Sequence, residues 1–423
     1  MKEKLGIIGT GVAAMSAGHF LQHRFDIELF DKADYIGGHS NTVLVEEDGV
    51  KVPIDTGFIV YNDVTYPNLK RLFHELKVPV KNSDMSFSVQ HLPSGLEFCG
   101  SGINGLFAQR RNFFNPKYYR LLYNINRFNQ EAPNILDKEE YSKFTLKDYI
   151  QKFKFHNDLL EYYLIPMSSA VWSTPINKML SFPIVTLVRF FYNHGFLGLN
   201  TQHQWKTVDG GSKSYVEIIT KPFKNKIYLK NGAKSVERKK DKVEVLFEDG
   251  SVKQFDKVIL ATHADTSFSL IKNPSEDEKN ILSHFHYESN VATLHTDDSI
   301  MPKKKLAWSA WNYRVEQKSN GTWLDSNLIY WMNALQGVSK KRNYFVSIND
   351  SGNLDPTKII LKVRYEHPLY TPESIQAQNE LQRLNTSSNL FFCGSYFKYG
   401  FHEDAFTSGL NLARTILREK IWE

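Results

Sequence analysis

Leu5-Gly6-Ile7-Ile8-Gly9-Thr10-Gly11-Val12-Ala13-Ala14, close to the amino terminus, decides the fold. Leu5, Ile7 and Ile8 make an apolar run too short for a helix and interrupted by glycine, the pattern of a strand buried on both faces. Gly9 permits a sharp turn. Gly11 lets the backbone approach a pyrophosphate with no Cβ in the way, and Ala14 takes the place of a third glycine where helix packs on strand. Residues 13–22, AAMSAGHFLQ, are helix-compatible, so the free N–H groups and dipole at the start of that helix, from Val12 and Ala13 onward, point at phosphates. Ile27-Glu28-Leu29-Phe30-Asp31 then reads as a second strand, with Asp31 twenty residues beyond Gly11, the separation at which a carboxylate meets a ribose hydroxyl pair. A bare GxGxxA match is weak evidence. Strand, glycines, helix, strand and acid in this order favour a dinucleotide-binding βαβ unit over a glycine turn in an ordinary one.

Asp34-Tyr35-Ile36-Gly37-Gly38-His39-Ser40 follows directly after Asp31 and Lys32, and Asp55-Thr56-Gly57-Phe58 comes later. A glycine hinge between strand and loop is the plainer reading of the first motif. Acid, spacer, Gly-Gly and then Asp-x-Gly is similar to the flavin-containing amine oxidase and phytoene desaturase superfamily. The resemblance implies FAD, held by Lys32, Gly37, Gly38, His39, Ser40, Thr56, Gly57 and Phe58 in addition to the glycine turn. Arginine often follows the paired glycines in that superfamily. His39 stands here instead, a group mostly neutral near pH 7. VPIDTGFIVYN, IPMSSAVWSTP, FYNHGFL, VDGGSKSYV, VILATHAD and FCGSYFKYGFHEDAFTSGL extend the resemblance to a bacterial branch of predicted NAD/FAD-binding proteins of amine-oxidase fold, over nearly all 423 residues. Members of that branch often accompany enzymes related to cyclopropane-fatty-acid synthase. This implies a lipid-linked redox role and a lipid-modifying partner enzyme.

The other end of the chain completes the expected site. Residues 390–412 read LFFCGSYFKYGFHEDAFTSGLNL. Phe391-Phe392-Cys393 is strand-like, and Gly394 opens a turn where the family usually continues with an acid. Ser395 stands there, able to hydrogen-bond without carrying charge. Downstream, Glu403, Asp404, Ala405, Phe406 and Ser408 open a helix whose N-terminus can face the flavin's pyrimidine oxygens. The two acids can instead cap that helix, since Asp and Glu favour first turns. Cys393 precedes the turn on an apolar strand, where burial explains it better than a covalent flavin link, so the expected FAD is non-covalent.

The expected architecture is α/β, a Rossmann-like FAD/NAD(P)-binding domain with an inserted α+β substrate domain. Residues 1–78, 207–275 and 386–423 supply the cofactor domain; 79–206 and 276–385 supply the substrate domain, with a helical part over about 104–165. TYPNLKRLFHELKV and SYVEIITKPF read as helices. SDMSFSVQHLPSGLEFCG reads as a strand pair around Pro93-Ser94-Gly95, and residues 242–252 as a hairpin with Asp249-Gly250 at its turn. Lys257 to Thr262, containing Ala261, rejoins the cofactor sheet. Within AKSVER the resemblance places a backbone contact to adenine at Val236.

Length and composition fit a two-lobed enzyme: 41% hydrophobic, 23% charged and 13% aromatic residues in 423, a length beyond one ordinary core. A formal net charge of +6, spread along the chain, argues against nucleic acid. Two cysteines exclude a disulfide scaffold or cysteine-rich metal site, and no metal is expected; a reducing cytoplasm fits. Met-Lys-Glu-Lys before apolar residues superficially resembles a secretory signal, but the glycines favour the strand. Ser181 to Tyr192 is too short to span a membrane and contains Arg189. Phe107, Arg110, Arg111, Phe113, Phe114, Lys117, Tyr118, Tyr119 and Arg120 set rings beside cations. That composition suits a peripheral membrane contact, and inward packing of the rings is the alternative.

His402, in the flavin-proximal segment, and His194, beside Gly195 after an aromatic run, are the candidate acid or base groups. Trp172, Trp308, Trp311, Tyr313, Tyr330, Trp331, Tyr396 and Tyr399 are candidate wall residues. Aromatic walls suit an acyl chain and equally an amine cage. No P-loop, GxSxG elbow or Cys/His metal spacing is present. Three readings remain: an FAD oxidoreductase of a fatty-acyl chain or other apolar lipid, a flavin amine oxidase, and a non-catalytic flavin-binding partner of a lipid-modifying enzyme.

Overall fold

The computed structural model describes residues 2–172, 176–198, 203–317, 324–386 and 389–422. The opening run becomes the strand Lys4–Ile8 and lies at the centre of a five-stranded parallel sheet. The strand order is Ile227–Tyr228, Asp26–Phe30, Lys4–Ile8, Lys257–Leu260 and Leu390–Phe392. Both faces of a central strand are covered, and Leu5 and Ile7 are fully buried. Three stretches far apart in sequence thus meet side by side. Their junction is tight: the helix Val12–Leu21 packs on the closing helix His402–Leu417, where any side chain at Gly409 would overlap the carbonyl of Ala13. Across the same contact Ser16 Oγ donates to the carbonyl of Phe406 at 2.8 Å.

The strands Ala233–Arg238, Val243–Phe247 and Val252–Phe255 form a small antiparallel sheet, with Asp249-Gly250 at the turn read from sequence. A separate seven-stranded sheet takes all its strands from residues 87–99 and 286–369. Its order is Ile359–Leu369, His286–His295, Phe345–Ile348, Leu324–Trp331, Trp311–Gln317, Phe87–His91 and Leu96–Cys99. The hairpin expected around Pro93-Ser94-Gly95 is its edge, pairing Val89 with Phe98. Helices cover this lobe, the longest being Pro116–Glu131.

The helical part runs further than the expected limit of about 165. Ile165–Trp172 and Ile184–Asn193 continue it, the latter because Leu187, Val188, Phe190 and Phe191 supply a buried stripe. The aromatic, basic segment divides between its two readings. Phe107 and Tyr118 are buried with Val89, Phe98 and Leu121, whereas Phe113, Phe114 and Tyr119 stand at the surface. Among the described residues no helix is long and apolar enough to cross a membrane.

Candidate cofactor and substrate site

Gly9 has φ +106°, and a Cβ there would sit 2.7 Å from the carbonyl oxygen of Ala261. The turn is therefore closed to other residues, and Ala261 is fixed at the carboxyl edge of the sheet by its N–H donating to Ile8 at 2.8 Å. Beyond the turn, Gly11 faces open space, with no atom within 4 Å of an added Cβ. The helix that follows has neither a capping side chain nor an acid in its first turn, so the N–H groups of Val12, Ala13 and Ala14 are presented bare. Gly37 bridges to Gly11, and Gly37 and Gly38, at φ +124° and +59°, cross directly over it. Backbone from two loops therefore meets at a helix N-terminus, beside the open space at Gly11. That cradle fits the pyrophosphate of FAD.

Asp31 ends the second strand. Its Oδ2 accepts from Thr10 N at 2.8 Å and Thr10 Oγ1 at 2.6 Å, and its Oδ1 from Ala33 N at 2.9 Å. The carboxylate is thus held rigidly at the turn, with acceptor capacity left on Oδ1 toward a ribose. Lys32 is exposed and its stem lies against Gly232. Val236, where the resemblance places a backbone contact to adenine, is buried, and its carbonyl accepts from Lys272 N at 3.0 Å.

Further along, His402 begins the closing helix and stacks flat on Phe58, with centroids 3.8 Å apart and planes 8° from parallel. Burial pushes its pKa down to about 3, so the ring is neutral. Its Nε2 lies 2.6 Å from Tyr215 Oη, which lies 2.5 Å from Ser40 Oγ. A neutral imidazole accepting from Tyr215, which accepts from Ser40, satisfies all three groups. Tyr215 was not legible as a site residue, because nothing local ties residue 215 to residues 40 and 402. His39 sits beside His367 and His263, at centroid distances of 5.4 and 6.4 Å, and burial together with these neighbours lowers its pKa. The position that often carries arginine in the superfamily is here a cluster of neutral imidazoles. Thr56 Oγ1 bonds to Tyr365 Oη at 2.8 Å, and any Cβ at Gly57 would overlap the carbonyl of His39.

Glu403 and Asp404 turn their carboxylates into helix caps. Glu403 accepts from Asn68 N at 3.0 Å and Leu69 N at 2.9 Å, capping the helix Pro67–Glu75, and from Asn68 Nδ2 at 2.9 Å. Asp404 accepts from Phe401 N at 3.0 Å and Tyr399 N at 3.2 Å, capping its own helix, and burial raises its pKa to about 7. The backbone of Ala405 and Phe406, expected to face the cofactor, is engaged within the protein: Ala405 N donates to the carbonyl of Phe401 at 3.0 Å, and the carbonyls of Ala405 and Phe406 accept from Ser408 Oγ and Ser16 Oγ. Ser408 Oγ accepts from Gly394 N at 2.9 Å and donates to Ala405, tying Gly394 and Ser395 to the helix.

Asp55 is the strongest junction in the site. Its carboxylate accepts from Thr42 Oγ1 at 2.5 Å, Ser212 N at 2.9 Å, Ser212 Oγ at 2.7 Å and Gln336 Nε2 at 2.7 Å. Gln336 returns the contact by accepting Asp55 N at 3.0 Å. One buried acid thereby ties the segments at Thr42 and Ser212 to Gln336 of the substrate lobe.

His194 caps the end of its helix: its Nδ1 donates to the carbonyl of Phe190 at 2.9 Å, its ring stacks on Phe190 at 3.8 Å, and burial lowers its pKa to about 4. This geometry gives it a packing role. Among the wall residues, Trp311, Tyr313 and Tyr330 share the sheet face that packs into the core containing Phe58, Ala170 and Trp205. Trp308 and Trp331 lie in a different cluster, with Ile329 and Phe345, because residue 331 must point opposite to residue 330 on a strand. Tyr396 is buried with Phe285 and Leu384, and Trp172 with Phe182 and Phe190. Trp205 Nε1 and Trp311 Nε1 are buried donors with no partner among the described residues. Among those residues no cluster of His, Cys, Asp and Glu could hold a metal ion.

An uncapped helix over a glycine turn, an acid held at the end of the second strand, and loops returning from both chain ends have the form of a dinucleotide-binding fold with a separate aromatic lobe. The sequence matches the description "Flavin containing amine oxidoreductase" over residues 15–345, and the chain belongs to that family. It is accordingly an FAD-dependent oxidoreductase. Solved structures agree on the fold over 99% of this chain. Cyclohexylamine oxidase from Brevibacterium oxydans IH-35A superposes with a TM-score of 0.71 at 12% identity and 99% coverage of its own chain. The CLA-producing fatty acid isomerase from P. acnes gives 0.69 at 12% and 99%. Putrescine oxidase, bound to putrescine, gives 0.66 at 13% and 100%. No curated protein matches the sequence.

Proposed function

We propose that the enzyme acts on a fatty-acyl chain or other apolar lipid, by desaturation, saturation, isomerisation or a related redox step. The observation that carries this reading is the fate of the acids around the site. Asp55, Glu403 and Asp404 are each consumed by N–H and O–H donors of the protein, and His39 and His402 are neutral. No uncommitted carboxylate among these groups offers a counter-ion to an ammonium, while Phe58, Trp311, Tyr313 and Tyr330 offer apolar surface. When bound, FAD supplies the hydride or electron acceptance. The protein's part is then to hold the pyrophosphate at Val12, Ala13 and Ala14, to set the closing helix against the flavin, and to keep water from the reacting carbon. Ser40, Tyr215 and His402 maintain the last two functions by locking the first turn of that helix.

Anaerobic mixing of the yellow protein with unsaturated and saturated fatty acids, and separately with alkyl amines, tests the reading. Changes in the flavin spectrum or in the double-bond pattern of a fatty acid are expected. Bleaching by amines alone, with hydrogen peroxide released in air, establishes the amine oxidase instead, and the aromatic pair Trp311 and Tyr330, edge-on at 5.0 Å, would serve as its cage. The FAD is non-covalent: Cys393 is fully buried and its thiol is held protonated by that burial, removing the thiolate a covalent link needs. Acid precipitation should therefore leave all flavin in the supernatant; yellow colour retained in the pellet overturns it.

A further inference from the structure

We propose that the surface formed by residues 103–123 and 303–306 binds an anionic lipid bilayer. Four large apolar side chains from three short segments protrude there. Phe114 is 90% exposed, Ile103 71%, Leu306 52% and Phe113 39%. Tyr119 and Tyr123 extend the patch along the first turns of the helix Pro116–Glu131. These segments form one surface: Phe113 stacks on the buried Phe107 at 4.1 Å, Tyr119 Oη donates to the carbonyl of Phe113 at 3.1 Å, and the helix Gly102–Leu106 packs on the turn Lys305–Ala307.

Cations ring the protruding side chains. Arg110, Arg111, Lys117, Lys303, Lys304 and Lys305 are all exposed, and residues 98–130 and 299–315 contain no Asp or Glu. Arg110 donates to the carbonyl of Phe107 and to Asn104, and Arg111 to the carbonyl of Gly95; these neutral acceptors fix the guanidinium groups without cancelling their charge. Two acids border the patch. Asp158 pairs with Arg120 at 2.5 Å, and the buried Glu97 accepts from the backbone N–H groups of Lys303 and Lys304 and from Gln90. Six exposed cations therefore surround apolar side chains of which Phe114, Ile103 and Leu306 are each more than half exposed. An anionic bilayer answers both features, since lipid phosphates neutralise the cations and the acyl boundary takes the rings. A protein partner would be met by a concave or flat anchor pocket rather than by side chains projecting singly from three turns. The rim places Phe107 and Tyr118 as the buried footing that keeps the exposed rings erect.

Co-sedimentation of the FAD-loaded enzyme with vesicles tests it, using phosphatidylcholine alone and phosphatidylcholine mixed with phosphatidylglycerol. The protein should pellet with the mixed vesicles at low ionic strength, remain in solution with phosphatidylcholine alone, and be released in part by high salt. Phe114→Ser with Phe113→Ser, and separately Arg111→Glu with Lys117→Glu, should each lower the partition coefficient by about tenfold or more with the flavin spectrum unchanged. Both native thiols are buried, so a polarity-sensitive dye attached at Phe114→Cys should shift to the blue on addition of mixed vesicles. Wild-type protein that stays in the supernatant with mixed vesicles overturns the proposal. So does binding that none of these substitutions weakens, and so does a dye that reports no change.

Discussion

Asp55→Ala is expected to lower folding stability by on the order of 3–5 kcal/mol and to strip the protein of flavin. The carboxylate is 1% exposed, and its removal orphans Thr42 Oγ1, Ser212 N, Ser212 Oγ and Gln336 Nε2 at once. Each such donor costs roughly 1–3 kcal/mol when left buried without a partner, less what water entering the cavity recovers. The damage spreads along defined lines. Thr56, Gly57 and Phe58 follow directly in the chain, so loosening Asp55 releases the ring on which His402 stacks. Asp55→Asn keeps the shape but turns an N–H toward donors, and a smaller loss of about 1–3 kcal/mol is expected. Urea unfolding followed by far-UV circular dichroism, with flavin fluorescence recorded in parallel, checks both variants. An alanine variant that unfolds at the wild-type urea concentration and keeps its flavin would show that the junction is not needed.

The legible and illegible parts of this molecule divide by sequence distance. The glycine turn, its helix and Asp31 could be read because turn, helix and strand signals lie within a few residues of one another, and each conforms to a backbone rule. The hairpins at Pro93-Ser94-Gly95 and Asp249-Gly250 were legible for the same reason. Family resemblance brought residues 390–412 to the same site, which local pattern alone could not do. The junction at Asp55 and the chain Ser40, Tyr215, His402 were hidden. Their partners are separated by 157 and 281 residues in one case, and by 175 and 187 in the other. Glu403 illustrates an ambiguity that sequence leaves open: first-turn acids suggest capping of their own helix, yet this one caps Pro67–Glu75 across the core. The error over Trp331 was avoidable in physical terms. Adjacent residues on a strand face opposite ways, so Tyr330 and Trp331 could not both line one pocket.

Mild acid is expected to unfold the protein from within. His402 has its pKa lowered by burial to about 3, and His194, His295 and His367 to about 4. In the unfolded chain each returns to about 6.5. Between these values the unfolded state binds protons that the folded state refuses, so stability is complete above about 6.5 and is lost as pH falls through the window toward 4. Each histidine contributes about 1.4 kcal/mol per pH unit there. His194 and His295, 6% and 0% exposed, suffice for a slope of about 2–3 kcal/mol per pH unit. Asp404 works in the other direction: its pKa is raised to about 7, so the folded state binds a proton between about 3.9 and 7 that the unfolded state does not, which offsets roughly one histidine. The urea midpoint should therefore fall steeply between neutral pH and about pH 5, with free FAD appearing as flavin fluorescence rises. His295 separates this account from general acid damage. Its Nδ1 accepts from Asp297 N at 3.1 Å and its Nε2 lies 2.8 Å from Ser347 Oγ, far from the cofactor loops. His295→Gln should flatten the pH slope by about 1.4 kcal/mol per pH unit while leaving the flavin spectrum at neutral pH unchanged. A midpoint equal at both pH values, or a slope unmoved in that variant, would show that the buried imidazoles do not set the acid limit.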